Sequence, residues 1–237
     1  MKPTAEEALG IDYFGRGHWL TRAQVRLSIA ARRRMFEHWR RYADPHPGTR
    51  VLDVGSTPDR ERADSNCMIP WFQQTDCDVT LYSPENLAGL DAIFPGAAIL
   101  PAAGFGAHIP APDCEYDWVT ASAVLEHVGS RSQQVEFVRD CARVGRGLFL
   151  TTPNRRHWLE FHTKLPLIHW LPRPLHRRLL ALAGMETWSK ESHLRLLDVR
   201  DLRSIAEEAL AASFTFSIRT VWSLGMPSNL VLLARRA

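Results

Sequence analysis

The segment Arg50-Val51-Leu52-Asp53-Val54-Gly55-Ser56-Thr57-Pro58 constrains this chain more than any other. Val51, Leu52 and Val54 form a short apolar run between turn formers, Pro45-His46-Pro47-Gly48 before it and Gly55 to Pro58 after it. That pattern marks a strand buried on both faces of a parallel sheet. Asp53 inside the strand's end and Gly55 just beyond it put a carboxylate and a tight turn at the carboxyl edge of the sheet, where doubly wound folds bind ligands. A glycine after a strand is also used for crossover geometry alone. A single glycine does not separate a ligand loop from a plain turn, so the rest of the chain has to decide.

Downstream, the same strand-then-turn unit recurs. Val79 to Tyr82 reads as a second strand, with Ser83 as the cap of a following helix and Pro84 at its first position. Ser83 or Glu85, just past that strand, stands where nucleotide-binding sheets hold a ribose. Ala97 to Leu100 reads as a third strand and Tyr116 to Ala121 as a fourth, running into Ser122-Ala123-Val124-Leu125-Glu126-His127-Val128. Ser132 to Val144 has helical spacing, and Gly147 to Thr152 is a fifth strand. Five strands with helices between them predict an α/β fold with a parallel sheet and right-handed crossovers. Between the first two strands, the charged run Asp59 to Asn66 reads either as a loop folding over a ligand or as a solvated helix start.

The flanks differ from this core. Thr21 to Tyr42 has helical spacing, with Thr21 as its cap and Asp44-Pro45 as its end, and predicts a helix packed on the sheet or over its ligand edge. Arg32, Arg33 and Arg34 point around such a helix, which suits a solvated surface better than an anion site. From Pro153 to His193 aromatics and histidines alternate with basic residues, and the prolines forbid one long helix. This stretch is expected to be an insertion above the ligand edge. Asp198 then caps a helix through Leu210, and Phe214 to Thr220 with Asn229 to Ala234 make an antiparallel pair.

Bulk properties exclude several classes. A chain of 237 residues supports one good-sized core, so residues 1–237 are read as a single domain, with residues 1–45 a helical extension and residues 153–195 the lid. A formal net charge of +3 does not announce nucleic-acid binding. The four cysteines, Cys67, Cys77, Cys114 and Cys141, show no pairing or His/Cys spacing of a metal site, so no metal and no disulfide frame is expected. The start, Met1 to Glu7, lacks the apolar core of a signal peptide, and no run approaches membrane-spanning length, which predicts a cytoplasmic protein with no membrane association.

Three segments together resemble class I S-adenosylmethionine-dependent methyltransferases, specifically the small bacterial type 11 group. Val51-Leu52-Asp53-Val54-Gly55 is similar to that family's first motif, Tyr116 to Val119 with Ser122 to Val128 to its fourth-strand motif, and Phe149-Leu150-Thr151-Thr152-Pro153-Asn154-Arg155 to its fifth-strand motif. The resemblance runs from about Arg50 to Ala237. It implies a Rossmann-like doubly wound sheet of seven strands with an antiparallel last strand, and S-adenosylmethionine as cofactor. Carried over by position, Asp53, Gly55, Ser56 and Thr57 would organise the turn under the methionine moiety, Ser83 and Glu85 would hold the ribose, and Ser122 and Ala123 would line the pocket near the sulfonium. The family's second and third glycines give way to residues around Thr57 and Asp59, and its acidic residue after strand three to Ala102-Ala103-Gly104.

Methyl transfer is an in-line displacement at a carbon already activated by the sulfonium, so alignment is the main task and a base is needed only for a protonated acceptor. His127, at the ligand edge, and His162 and Glu160, from the lid, are the candidates, with His169 also in the lid. Arg155, Arg156, Lys164, Arg173, Arg177 and Arg178 in the lid suit either an anionic small-molecule substrate or, more commonly for such residues, a solvated surface; Trp158, Phe161 and Trp170 read as pocket wall or lid core rather than as a nucleic-acid platform. The leading expectation is methyl transfer to a small or glycan-like metabolite. Two other readings stay open: use of the sulfonium charge to assist cyclisation or elimination, and a degenerate subunit supporting a partner. Self-association or a partner subunit is compatible with either.

Overall fold

The computed structural model describes residues 19–60, 62–104 and 106–237, with side chains from Val25 onward; the expectation for Met1 to Glu7 lies outside them. The chain divides into two compact units, one reaching Ala121 and including Cys141–Phe149, the other formed by Ser122–Asp140 and Leu150–Ala237.

The elements in order are α1 (Trp19–Ala43), β1 (Arg50–Val54), α2 (Ile69–Gln73), β2 (Asp78–Tyr82), α3 (Leu90–Ile93), β3 (Ala98–Ile99), β4 (Tyr116–Ser122), α4 (Arg131–Val144), β5 (Gly145–Pro153), α5 (Arg173–Leu182), α6 (Glu186–Ser189), α7 (Val199–Leu210), β6 (Phe214–Ser223) and β7 (Met226–Arg236). The strands form one seven-stranded sheet in the order β3-β2-β1-β4-β5-β7-β6. β1 pairs in parallel with β2 and with β4, β2 with β3, and β6 runs antiparallel to β7. This is the expected doubly wound α/β sheet with its antiparallel ending.

In the first unit the core is aromatic. Trp39 of α1 meets Phe72, Trp118 and Phe149 with ring centroids 4.7, 6.1 and 6.2 Å apart, and Phe36 adds a further edge contact to Phe72. Each such ring removes about 150–250 Å² from water, on the order of 4–6 kcal/mol of gross burial. The expected packing of α1 on the sheet is thereby accounted for. Thr21, however, lies inside α1 and does not cap it. Of the three arginines, Arg32 pairs with Asp64 at 3.3 Å and Arg33 lies over Phe36 and Trp71. At the start of β5, a Cβ on Gly147 would stand 2.7 Å from the Trp118 ring, so the strand can run beside that indole only with a glycine there.

Two local predictions are corrected. Ser83-Pro84 starts no helix; the next helix is the four-residue α3, preceded by Gly89 in left-handed conformation. Ser83 instead accepts a hydrogen bond from the Glu85 N–H at 3.2 Å, a local turn that uses the capping chemistry without a helix to follow. The crossovers are also less helical than five regular βα units require. Only the five-residue α2 separates β1 from β2, and residues 100–115 carry no helix among those described. The charged stretch after β1 is a loop, tied by Arg62 to Asp64 at 3.0 Å and by Ser65 to Asp59 at 2.7 Å.

The second unit contains the insertion after β5, in which Pro166 and Pro172 flank a 3-10 turn (Ile168–Trp170) and left-handed Gly184 separates α5 from α6. Asp198 caps α7 as anticipated: its side chain accepts from the N–H groups of Arg200 and Asp201, and Asp201 returns the bond. No helix among the described residues is long and apolar enough to cross a membrane.

Candidate functional site

In the first unit the candidate residues lie at the carboxyl end of β1. Asp53 is buried, and its carboxylate accepts a hydrogen bond from Ser56 Oγ at 2.7 Å. Burial pushes the Asp53 carboxyl up to about 6 despite that bond. A desolvated carboxylate with one hydroxyl donor is poorly compensated, and a cation beside it would restore the balance. Gly55 turns the chain at φ 88°, a conformation that a Cβ disfavours.

The loop that follows is held by its own hydrogen bonds rather than by further glycines. The N–H groups of Gly55 and Ser56 both donate to the Tyr82 carbonyl, at 2.8 and 3.3 Å. Thr57 is clamped from both sides by Asn66, which accepts from the Thr57 N–H at 3.0 Å and donates to its carbonyl at 2.8 Å. The N–H groups of Gly55, Ser56 and Thr57 are thus all engaged within the fold. The sequence marks Asn66 only as the asparagine ending a charged loop, a residue type that tolerates the left-handed conformation it adopts here, φ 53°. Ser83, buried at the end of β2, spends an acceptor on the Glu85 N–H, and Glu85 is half-buried.

In the second unit, Ser122 ends β4 and Ala123 follows it at φ 59°, its N–H donating to the Thr151 carbonyl at 2.9 Å. A non-glycine residue in that region is strained and needs its surroundings to hold it. The chain then makes one 3-10 turn, Leu125–His127. Gln134 of α4 fixes this turn, donating to the Leu125 carbonyl at 2.8 Å and accepting from Arg195 at 3.0 Å.

The three residues proposed for acid–base chemistry come together here. Glu160 Oε1 lies 2.6 Å from His162 Nδ1, and His162 Nε2 lies 3.1 Å from His127 Nε2. His127 Nδ1 faces the His193 carbonyl at 2.8 Å. The Glu160 carboxylate also accepts the N–H groups of His162 at 2.9 Å and Thr163 at 2.5 Å, so it folds its own loop as well as holding an imidazole. Burial opposes charge on both Glu160 and His162, but their mutual attraction and hydrogen bonds prevail, holding Glu160 well below the usual carboxylate range and raising His162. His127 is driven the other way, by burial first and by the neighbouring His162 second, and stays neutral. Trp188 packs on both rings, with centroids 5.2 Å from His162 and 6.3 Å from His127.

Glu126 completes the group. It is fully buried, accepts from Thr152 Oγ1 at 2.8 Å, and offers a carboxylate oxygen within 4.8 Å of ligand atoms on both His127 and His162. The sequence placed Glu126 in the turn after β4 without assigning it chemistry, and gave no signal for Trp188 or for the His193 carbonyl. His169 does not join: its Nε2 donates to the His157 carbonyl at 2.7 Å, which makes it a strut of the insertion.

No family model matches the sequence, and no curated protein matches it. Its fold does match solved structures. Magnesium protoporphyrin IX methyltransferase from Synechocystis PCC 6803, solved with bound SAH, is 15% identical with a TM-score of 0.58, covering 97% of this chain and 92% of that one. An S-adenosylmethionine dependent methyltransferase from Mesorhizobium loti is 16% identical with a TM-score of 0.55, covering 83% and 95%. The 4+2 cyclase SpnF is 15% identical with a TM-score of 0.54, covering 94% and 83%. The chain therefore has the fold of the class I S-adenosylmethionine-dependent methyltransferases.

Proposed function

We propose that this protein binds S-adenosylmethionine at the turn after β1 and transfers its methyl group to a small or glycan-like metabolite. The observation that carries the reading is the buried, under-compensated Asp53 carboxylate beside left-handed Gly55, at the end of the first strand of this sheet. The methionine moiety brings an ammonium and the cofactor a sulfonium, and either supplies the positive charge that Asp53 lacks. With the loop N–H groups engaged within the fold, the cofactor's charged groups are held by side chains more than by a glycine-rich backbone cradle. The Glu126, His127, Glu160 and His162 cluster supplies the chemistry for holding an acceptor as its anion, whereas Arg156, Arg173 and Arg177 of the insertion are paired with Asp198, Asp201 and Glu191 and Arg155 holds backbone carbonyls.

The cofactor's sulfonium can also serve without giving up its methyl. The shortened glycine motif and the likeness to SpnF support that second reading. Calorimetric titration with S-adenosylmethionine and with S-adenosylhomocysteine tests the cofactor assignment, and micromolar binding of both is expected. Incubation with candidate anionic acceptors then separates the readings. Formation of S-adenosylhomocysteine supports transfer, whereas acceptor conversion with the cofactor unchanged supports charge assistance. Binding of neither ligand sinks both.

A further inference from the structure

His127 and His162 present their Nε2 atoms to one another at 3.1 Å. On His127, Nδ1 faces the His193 carbonyl, which can only accept, so Nδ1 carries the hydrogen and Nε2 a lone pair. On His162, Nδ1 faces the Glu160 carboxylate in the same sense, which again leaves Nε2 pointing at its neighbour. Two imidazoles fixed in these tautomers are brought tip to tip stably only by a positive charge between the tips, a proton or a cation.

The ring geometry separates the two. The His127 and His162 centroids are 4.8 Å apart with the planes at 82°. A straight N–H···N bond of the observed length would hold them roughly 5.4 Å apart, since the favoured angle at hydrogen is close to linear and each centroid lies about 1.15 Å behind its nitrogen. An ion about 2.05 Å from each nitrogen, as for zinc, gives centroids about 4.9 Å apart when the two bonds meet at roughly 100°. The rings are bent toward a common point rather than aligned along a shared proton.

We propose that Glu126, His127 and His162 form a site for a divalent transition-metal ion, with zinc the ion that the two-imidazole, one-carboxylate donor set suits. Glu126 supplies the third donor, with a carboxylate oxygen within 4.8 Å of the ligand atoms of both imidazoles, and the fourth position takes water or an oxygen ligand. The surroundings are those that metal-binding imidazoles require: each Nδ1–H is held, one by a carboxylate and one by a backbone carbonyl, and the ligating carboxylate is itself hydrogen-bonded by Thr152. His162 keeps 14% of its side chain exposed, which leaves a way in. Use of the open position by an acceptor's oxygen anion rests on the methyl-transfer reading; ion binding itself does not.

The full chain, stripped with chelator and dialysed, is titrated with Co2+ and then Zn2+ while visible absorption is read, and separately with S-adenosylmethionine. The expected result is one equivalent of Co2+ with the intense visible bands of a four-coordinate site, no thiolate charge-transfer band, and displacement by Zn2+. His162→Gln and Glu126→Gln should each weaken binding by about tenfold or more, and Glu160→Gln, which alters the partner of His162 and no ligand, by about 10–100-fold. Weak, non-stoichiometric binding by the folded wild type, or a thiolate band from Cys67, Cys77, Cys114 or Cys141, overturns the proposal. The wild-type spectrum decides even if the variants fail to fold. Cofactor binding without Co2+ binding sinks the metal site alone, and Co2+ binding without cofactor binding supports it while removing the methyl-transfer reading.

Discussion

Asp53→Asn should make the protein more stable at neutral pH while weakening its binding of S-adenosylmethionine. The substitution keeps the shape and an acceptor for Ser56 Oγ, 2.7 Å away, but removes a charge that burial disfavours. The Asp53 carboxyl moves from 3.8 to about 6 on folding, about two units at 1.36 kcal/mol each, so its ionised form costs the native state about 3 kcal/mol. The sign follows from proton binding. Because the native state holds this proton more tightly than the unfolded chain, stability falls as pH rises from about 4 to about 6 and is constant above. The variant should therefore match wild type near pH 4 and exceed it by up to about 3 kcal/mol at pH 7.5, a rise of roughly 6–12 °C in Tm for a chain of this size. Calorimetric melting of both proteins across that range is the assay. A gain that does not depend on pH, or a variant less stable than wild type at pH 7.5, would refute the desolvation account. A gain in stability together with at least tenfold weaker cofactor binding would mark Asp53 as a carboxylate kept for its ligand.

The same ionisation predicts that wild-type affinity for S-adenosylmethionine rises with pH up to about 6 and then levels, since the carboxylate is the form that meets a cation; a flat profile from pH 5 to 7.5 by calorimetry counts against that role. Gly55→Val places a β-branched residue at φ 88° and should cost about 1–2 kcal/mol of stability and abolish cofactor binding; normal binding would mean the cofactor lies elsewhere. Gly147→Ala drives a methyl into the Trp118 ring and should cost about 1–3 kcal/mol, read as a lower midpoint in urea. Trp39→Ala empties the aromatic centre of the first unit and should cost about 3–5 kcal/mol; a loss under 1 kcal/mol would show that this core tolerates collapse.

Features resting on neighbours in sequence were legible. The Val51 to Gly55 strand and turn, the strands beginning at Tyr116 and near Gly147, the closing hairpin and the Asp198 cap each follow from alternation, apolar runs or a side chain bonding its own backbone two or three residues on. Where local chemistry had two uses, the sequence could not choose. Ser83-Pro84 suits a helix start and a turn equally, and the turn is found because no helix follows.

The candidate site divides along the same line. Residue types and strand ends pointed to Asp53, Gly55, His127, Glu160 and His162 one at a time, because a strand's carboxyl end is a property of the local chain. That Glu160, His162 and His127 come together in one cluster, with Glu126 beside them and Trp188 over them, was decided only by tertiary structure. His127 and His162 stand 35 positions apart, and no pattern of spacing across an irregular, proline-broken insertion encodes the direction in which a ring nitrogen points. Direction is set by the groups that hold the other nitrogen, here a backbone carbonyl from His193 and a carboxylate two residues away. The sequence determined which chemistry was present; the folded chain decided which atoms meet, since a meeting of side chains depends on distances and angles that exist only once the backbone between them has taken its course.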